Sequence, residues 1–405
     1  MTEISEPAVK GLLAADPNEF RPDPHAGFAK YRPLAALIDF GGTPFVTRHG
    51  DVVSLMTDPR TRQMETEPLH MRGITAGGLH TFYANSMLLS NPPAHARRRR
   101  PAARAFAFKL IQAWRPRIRA LVSEMIDAIA GRQELDFLEA IASPLPSRLI
   151  AEIIGAPEQD AFSFATKVYT MSRGLGAFRP AEFEAIDAAA ADLIAYVEDL
   201  LDDRRRSPRE DFLSDYLASV REAGELSEAE TLVQIVTLIL AGSDTTRFGL
   251  TVMVSLLLQH RAQWEAVCAD PSRAAGAVLE ALRFEPPVGA IGRVVTELLS
   301  VDGAPVTPGT VLSLSILSAQ RDETVYAMPQ RFDIGRDDHP RWSVTFGYGA
   351  HRCLGEALAR AEMEEALIAL TQKLPALQLI GSPPAPRGHT GIRGITPMRV
   401  GWTSC

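Results

Sequence analysis

Apolar residues in this chain recur mostly at helical spacing. Residues 94–112, 114–131, 137–154, 183–206, 228–260 and 273–284 each repeat them every three or four positions, the pattern of helices that bury one face. Runs with extended character are short: 43–47, 293–295, 311–314 and 378–380. Strands and helices do not alternate along the chain, which speaks against a dinucleotide-binding fold. Prolines cluster at Pro22 and Pro24, at Pro92 and Pro93, at Pro286 and Pro287, and at Pro383, Pro384 and Pro386. Each cluster interrupts a helix or marks a turn. Residues 60–90 have no clear period and read as a long loop, and loops of that length are more often functional than incidental. The pattern predicts a mainly α architecture with a few small β-sheets.

One helix stands out. Over residues 228–260 it would be roughly 50 Å long, enough to cross a whole domain. Ser227 and Glu230 form a capping-box pattern at its start. Its middle reads Ala241-Gly242-Ser243-Asp244-Thr245-Thr246. Gly, Ser, Asp and Thr are poor helix formers, and the last three can bond to the backbone instead. An otherwise apolar helix has no packing reason for such a segment. It predicts either an opening of the helix onto a polar pocket or a kink filled by a structural Asp and Thr.

Composition narrows the class. A chain of 405 residues fits one large domain or two ordinary ones. Apolar residues at 46% supply a core, and a net charge of −7 argues against general nucleic-acid affinity. The three cysteines, Cys268, Cys353 and Cys405, make neither a disulfide framework nor a CxxC zinc site, which points to a reducing compartment and a cytoplasmic protein. The first residues lack the basic start and apolar run of a signal peptide. The most apolar stretch, 232–242, is too short to span a membrane and carries Gln234 and Thr237.

Three constellations carry candidate chemistry. Cys353 sits in the frame Phe346-Gly347-Tyr348-Gly349-Ala350-His351-Arg352-Cys353-Leu354-Gly355, and an apolar-striped helix begins just after it. Backbone N–H groups and the dipole of a helix N-terminus favour an ionised sulfur there, as nucleophile or as metal ligand. Glu280 and Arg283 are spaced i, i+3 and share a helix face. His95 and Arg99 are spaced i, i+4 in the run His95-Ala96-Arg97-Arg98-Arg99-Arg100, whose four arginines cannot all share one face. That run is either a solvated basic face or one that points some cations inward to an anion.

Taken together and in order, these segments resemble the cytochrome P-450 family of haem-thiolate monooxygenases. The likeness covers nearly the whole chain. It rests on the Phe346–Gly355 frame, the Ala241-Gly242-Ser243-Asp244-Thr245-Thr246 segment, the Glu280–Arg283 pair, and Pro329, Arg331 and Phe332, whose arginine the family usually adds to that pair. The resemblance implies one large P-450 domain over residues 1–405, helix-rich, with a long central helix, small β-sheets and a smaller β-containing region near the N-terminus. It implies haem b, with Cys353 as the axial thiolate. His95, Arg99, Arg293 and His351 would hold the propionates, which suits imidazole and guanidinium chemistry. Phe346 would pack on the sulfur side, Gly347, Gly349 and Gly355 would let backbone approach, and Ala241 would lie against the haem. Glu280, Arg283 and Arg331 would form a buried structural network.

Asp244 and Thr245 would deliver protons for oxygen activation. Peroxide-driven members of the family usually lack this acid–alcohol pair, so the resemblance implies O2 as co-substrate. The reaction implied is insertion of one oxygen atom into a small to medium hydrophobic molecule, C–H hydroxylation first, with O-demethylation, epoxidation and phenol coupling as alternatives on the same residues. A haem-binding sensor without turnover and a haem-free cysteine enzyme are the readings from other classes. Phe82, Met87, Leu238, Ala241, Val288, Ile291 and Ile395 would line the substrate pocket, and Arg72, Arg173 or Arg179 could anchor a carboxylate. Electrons would come from an iron–sulfur ferredoxin and its NAD(P)H-dependent reductase, docking on Arg97, Arg98, Arg100, Arg104 and Arg352. No nucleic acid and no membrane is expected as a partner.

Overall fold

The computed structural model describes residues 12–402, apart from Pro22, 40–41, 107, 130, 158–159 and 177. Pro22 and Cys405 therefore lie outside the described residues. The chain divides into two compact units.

The first unit comprises Met1–Met64, Leu279–Cys353 and Arg387–Gly394. It is built on a six-stranded sheet in the order Leu13–Ala14, Leu37–Asp39, Pro44–Val46, Val311–Ser315, Ala290–Val295 and Thr61–Arg62. Side chains alternate across a strand, and here both faces are covered. Leu37 and Val46 pair across one face with Leu312 and Leu314 in their cluster, while Ile38 and Phe45 turn to the other with Phe20, Phe28 and Ala290. The expected runs 43–47, 293–295 and 311–314 all fall in this sheet. The strand through Arg293 begins three residues earlier than its run predicts, because pairing to Val311–Ser315 extends from Val294 back to Ala290.

A charged network lies buried in this unit. Glu280 receives Arg283 through two hydrogen bonds of 2.7 and 2.8 Å. The third member is Arg336, 3.3 Å from Glu280, and not Arg331. Arg331 turns outward to Asp333 and gives the network only its backbone carbonyl, 3.2 Å from Arg283. The motif leaves this open because both arginines follow Pro329 closely, and only the turn of the chain decides which one points in.

The second unit comprises Glu65–Val278, Leu354–Pro386 and Ile395–Cys405. It is mainly helical, with a three-stranded sheet of Gln378–Leu379, Arg399–Gly401 and Glu134–Asp136. Its helices Phe183–Arg206 and Glu228–Gln259 match their predicted ranges within one residue, as does Ala274–Phe284, whose residues from Leu279 on belong to the first unit. Others depart. The stretch 94–112 is two helices, Ala94–Ala105 and the start of Phe108–Ala128. The chain turns at Phe106, whose ring docks edge-on to Phe212 at 5.5 Å. The stretch 137–154 is a π turn, Leu138–Ala142, followed by the helix Pro144–Ile153. Proline lacks the N–H that would continue the first and suits the opening turn of the second. Helices Ala161–Ser172, Phe212–Ala223 and Gly78–Asn85 form where no helix is predicted, the last inside the 60–90 stretch.

The long helix does not open. It is continuous from Glu228 to Gln259, with the Ser227–Glu230 capping box in place. Its hydroxyls turn back onto their own helix: Thr237 to the Val233 carbonyl at 2.7 Å, Ser243 to Ile239 at 2.7 Å, Thr245 to Ala241 at 3.0 Å and Thr251 to Arg247 at 2.9 Å. This back-bonding lets polar residues sit in a buried helix without breaking it. Among the described residues, no helix is long and apolar enough to cross a membrane.

Candidate active site

In the first unit, Cys353 ends a tightly closed turn. A 3-10 turn Val344–Phe346 leads into Gly347 at φ 72°, then Gly349 at φ 66° opens a second 3-10 turn, Gly349–His351. Both glycines hold left-handed backbone that other residues adopt at a cost. At Gly349 a Cβ would also meet Thr57 at 2.7 Å. The Cys353 N–H donates to the Phe346 carbonyl at 2.8 Å, and Arg352 donates to the Gly347 carbonyl at 3.0 Å. These bonds from backbone and from Arg352 close the turn, and Cys353 is exposed. A thiol presented on a hydrogen-bonded bend suits a metal ligand.

The same unit holds an unusual cation. Arg293 is 3% exposed, yet its guanidinium meets only two backbone carbonyls among the described residues, those of Met56 and Gly292, both at 3.5 Å. Among the described residues it makes no ion pair. Burial pushes its guanidinium down to about 10. Arg393 is buried as deeply but is met by Glu285. A desolvated guanidinium without a carboxylate is costly by itself, and Arg293 therefore fits a ligand that brings an anionic group. Ile291 lies two residues away on the same strand, and Val288 bridges to Ile392.

In the second unit, the helix Ala94–Ala105 places His95 inward, and burial, followed by the charge of Arg99, lowers its imidazole to about 4. Arg99 is half-buried, whereas Arg98 is buried and bonds Glu230 at 2.9 Å. The expected basic docking face is largely balanced. Arg97 also meets Glu230, Arg100 meets Glu225, and Arg104 meets Glu222. In the first unit, Arg352 lies over the ring of the exposed Trp342 at 4.4 Å.

Several pocket candidates sit along the long helix. Met87 donates its N–H to Gln234 at 2.7 Å, and Ser86 bonds Thr237 at 2.8 Å, which latches this segment beside Leu238. Phe82 is fully buried, Ala241 exposed and Ile395 half-buried. Gly355 caps the helix Glu356–Lys373. Two of the candidate carboxylate anchors are already neutralised, since Arg173 and Arg179 both meet Glu182. Arg72 instead lies 4.3 Å from the Phe178 ring.

The acid–alcohol pair is built as follows. Asp244 is 9% exposed, and desolvation raises its carboxyl above the usual range while Arg247 pulls it back. Thr245 follows it directly, with its hydroxyl hydrogen given to the Ala241 carbonyl. Arg247 and Tyr169 complete the surroundings of the acid, and neither is singled out by the sequence motifs. The i, i+3 spacing from Asp244 could have flagged Arg247, but nothing local points to Tyr169.

Comparison with known proteins agrees with this chemistry. The family profile described as Cytochrome P450 matches residues 160–377. The plant-inducible cytochrome P450-pinF1 of Rhizobium radiobacter is 41% identical over 98% of this chain and 97% of its own length. Nocardicin C N-oxygenase of Nocardia uniformis subsp. tsuyamanensis is 33% identical over 94% and 96%. Among solved structures, the myxobacterial cytochrome P450 CYP267B1 in complex with myristic acid matches with a TM-score of 0.87 and 30% identity, covering 96% of this chain and all of that one. A thiol on a glycine-bent turn, a buried arginine fitted to an anion and likeness over almost the full length lead to one conclusion: this chain belongs to the cytochrome P450 family of haem-dependent monooxygenases.

Proposed function

We propose that the protein inserts one atom of O2 into a small to medium hydrophobic substrate, with C–H hydroxylation as the main reaction. The observation that carries this reading is the buried Asp244 beside Thr245 on an unbroken helix. Haem b, when bound, supplies the dioxygen chemistry. Cys353 would hold its iron through the thiolate, His95, Arg99, Arg293 and His351 would meet its carboxylates, and Phe346, Gly347, Ala241 and Gly355 would line its surroundings.

The chain's own part is proton handling. The Thr245 hydroxyl gives its hydrogen to the Ala241 carbonyl, which leaves the lone pairs of Oγ1 to accept from an ordered water. When that water passes a proton on, Asp244 returns one to it and regains its own from solvent, a task to which a carboxyl raised above the usual range is better matched than an ordinary one. In Thr245→Ala, peroxide formed per NADH consumed should rise several-fold with the reduction rate unchanged. Equal peroxide yields in the variant and the parent would remove Thr245 from this role.

Arg293 supplies an independent test. If it awaits a propionate, Arg293→Met should weaken haem retention, measured by transfer to apomyoglobin, while the melting temperature of the apoprotein holds or rises. Loss of apoprotein stability instead would make Arg293 a structural cation.

Phe82, Met87, Leu238, Ala241, Val288, Ile291 and Ile395 are apolar, which supports a hydrophobic substrate. The pairing of Arg173 and Arg179 with Glu182 weighs against a carboxylate anchor at either. We assign electron supply to a ferredoxin and its NAD(P)H-dependent reductase in the cytoplasm, consistent with the sparse cysteine content. Docking then relies less on the Arg97–Arg104 helix, whose charges are balanced, than on Arg352 beside Trp342.

A further inference from the structure

Asp244 is governed by residues outside the acid–alcohol pair. Arg247, one turn along the same helix, donates from Nη2 to the Asp244 carboxylate. The guanidinium carbon of Arg247 lies 4.2 Å from the centroid of the Tyr169 ring, on the helix Ala161–Ser172. Tyr169 is pinned in turn. Its hydroxyl donates to the Ser143 carbonyl at 2.6 Å and lies 3.1 Å from the Ser147 hydroxyl. Three segments of the second unit therefore hold one cation against one acid.

The bland alternative is an ordinary i, i+3 surface pair, which contributes little. Burial argues against it. The side chains of Arg247 and Asp244 are 22% and 12% exposed, and the buried Nε of Arg247 has no hydrogen-bond partner among the described residues. An arginine on a helix flank ordinarily turns its head to water. Here the guanidinium lies over an aromatic ring, a contact for which arginine is better suited than lysine.

We infer that Arg247 and Tyr169 are positioning residues for oxygen activation: Arg247 holds the Asp244 carboxyl in one orientation and offsets its desolvation, and Tyr169 keeps Arg247 in place. The inference rests on the role proposed above for Asp244. A relay acid must lose its proton to the site and regain one from solvent. With Oδ1 held by Arg247, Oδ2 is the oxygen that takes up and releases it. One proton enters and one leaves, so no oxidant or reductant is needed.

The other titratable groups nearby do not replace this cation. The Tyr169 phenol is pushed up to about 12 by burial and is neutral. Glu362, on the helix Glu356–Lys373, is buried, and desolvation holds its carboxyl well above the usual range, so it adds no cation beside Asp244. Among the described residues, Arg247 is the charge that offsets the desolvation of Asp244. Removing it should leave Asp244 protonated to higher pH.

The experiment compares Arg247→Gln, Tyr169→Ala and Tyr169→Phe, with Asp244→Asn as reference, after haem content and melting temperature have been checked. The first readout is the protonated-carboxyl infrared band that Asp244→Asn removes, titrated in the resting protein. The second is the pH dependence of peroxide formed per NADH with a surrogate ferredoxin pair. In Arg247→Gln both midpoints should move up by about one pH unit, a tenfold change in protonated fraction. Tyr169→Ala should move them the same way by less, and Tyr169→Phe, which keeps the ring, should stay near the parent. Wild-type midpoints in both Arg247→Gln and Tyr169→Ala would overturn the inference. If Arg247→Gln does not fold, Tyr169→Ala against Tyr169→Phe decides, because a merely structural role moves stability and not the midpoint. If Asp244→Asn itself leaves peroxide yield unchanged, the proposed role of Asp244 fails instead.

Discussion

Cys353→Ser should fold, yet lose both turnover and the reduced carbon-monoxide band that gives the family its name. The fold should survive because serine matches cysteine closely in size and the turn's backbone is set by its glycines. Gly347 and Gly349 set its backbone, and its hydrogen bonds run from the Cys353 N–H to Phe346 and from Arg352 to Gly347. The chemistry should not survive, because serine offers a hard, weakly acidic oxygen where a thiolate pushes electron density to iron and favours O–O cleavage. Cys268 supplies the control. It lies half-buried on the helix Arg261–Ala269, where burial raises its thiol above the usual value and disfavours the ionised form. Cys268→Ser should keep band and turnover. A carbon-monoxide spectrum of Cys353→Ser that matches the parent would sink the ligand assignment, and loss of the band in Cys268→Ser would transfer it.

What the sequence reveals and hides follows from the range of the forces involved. Periodicity finds the helices whose apolar stripe is unbroken, such as Phe183–Arg206 and Glu228–Gln259, since each buries one face along its whole length. It fails at Phe106, where a single ring finding Phe212 ends a helix that the pattern would continue. Local chemistry finds the capping box but misjudges Ser243 and Thr245, because a hydroxyl can satisfy itself on its own helix at small cost. The turn at Cys353 is legible because its glycines are demanded by positive φ, a requirement written into residue type. Tyr169 is not legible. It reaches Arg247 from 78 positions away, and no spacing rule spans such a distance. Arg336 is missed for a related reason, since Arg331 sits in the familiar motif but the turn of the backbone sends it to solvent.

That last difference sets the largest stability effect expected in this protein. Glu280 is 0% exposed and anchors four groups: Arg283, Arg336 at 3.3 Å, His339 at 3.7 Å and the backbone N–H of Asp333 at 2.9 Å. Arg283 also spans to the carbonyls of Gln320, Pro329 and Arg331, so one guanidinium ties a helix to two stretches of irregular chain. Assembling such a network gains little net energy, but removing one charge strands the others in a desolvated site, at a cost of about 3–5 kcal/mol. Against a total stability of roughly 5–15 kcal/mol, Glu280→Ala should yield little soluble holoprotein. Glu280→Gln, which keeps an acceptor without the charge, should fall in between. The contrast between the arginines is the sharper measurement. The Arg336 side chain is 6% exposed and pairs with both Glu280 and Asp338, whereas that of Arg331 is 62% exposed and gives the network only its carbonyl. Arg331→Ala leaves that carbonyl in place and should stay within about 0.5 kcal/mol of the parent in denaturant midpoint. Arg336→Ala should lower the midpoint steeply, because Glu280 loses its second buried cation. Equal damage from the two substitutions would return the third place in the network to Arg331.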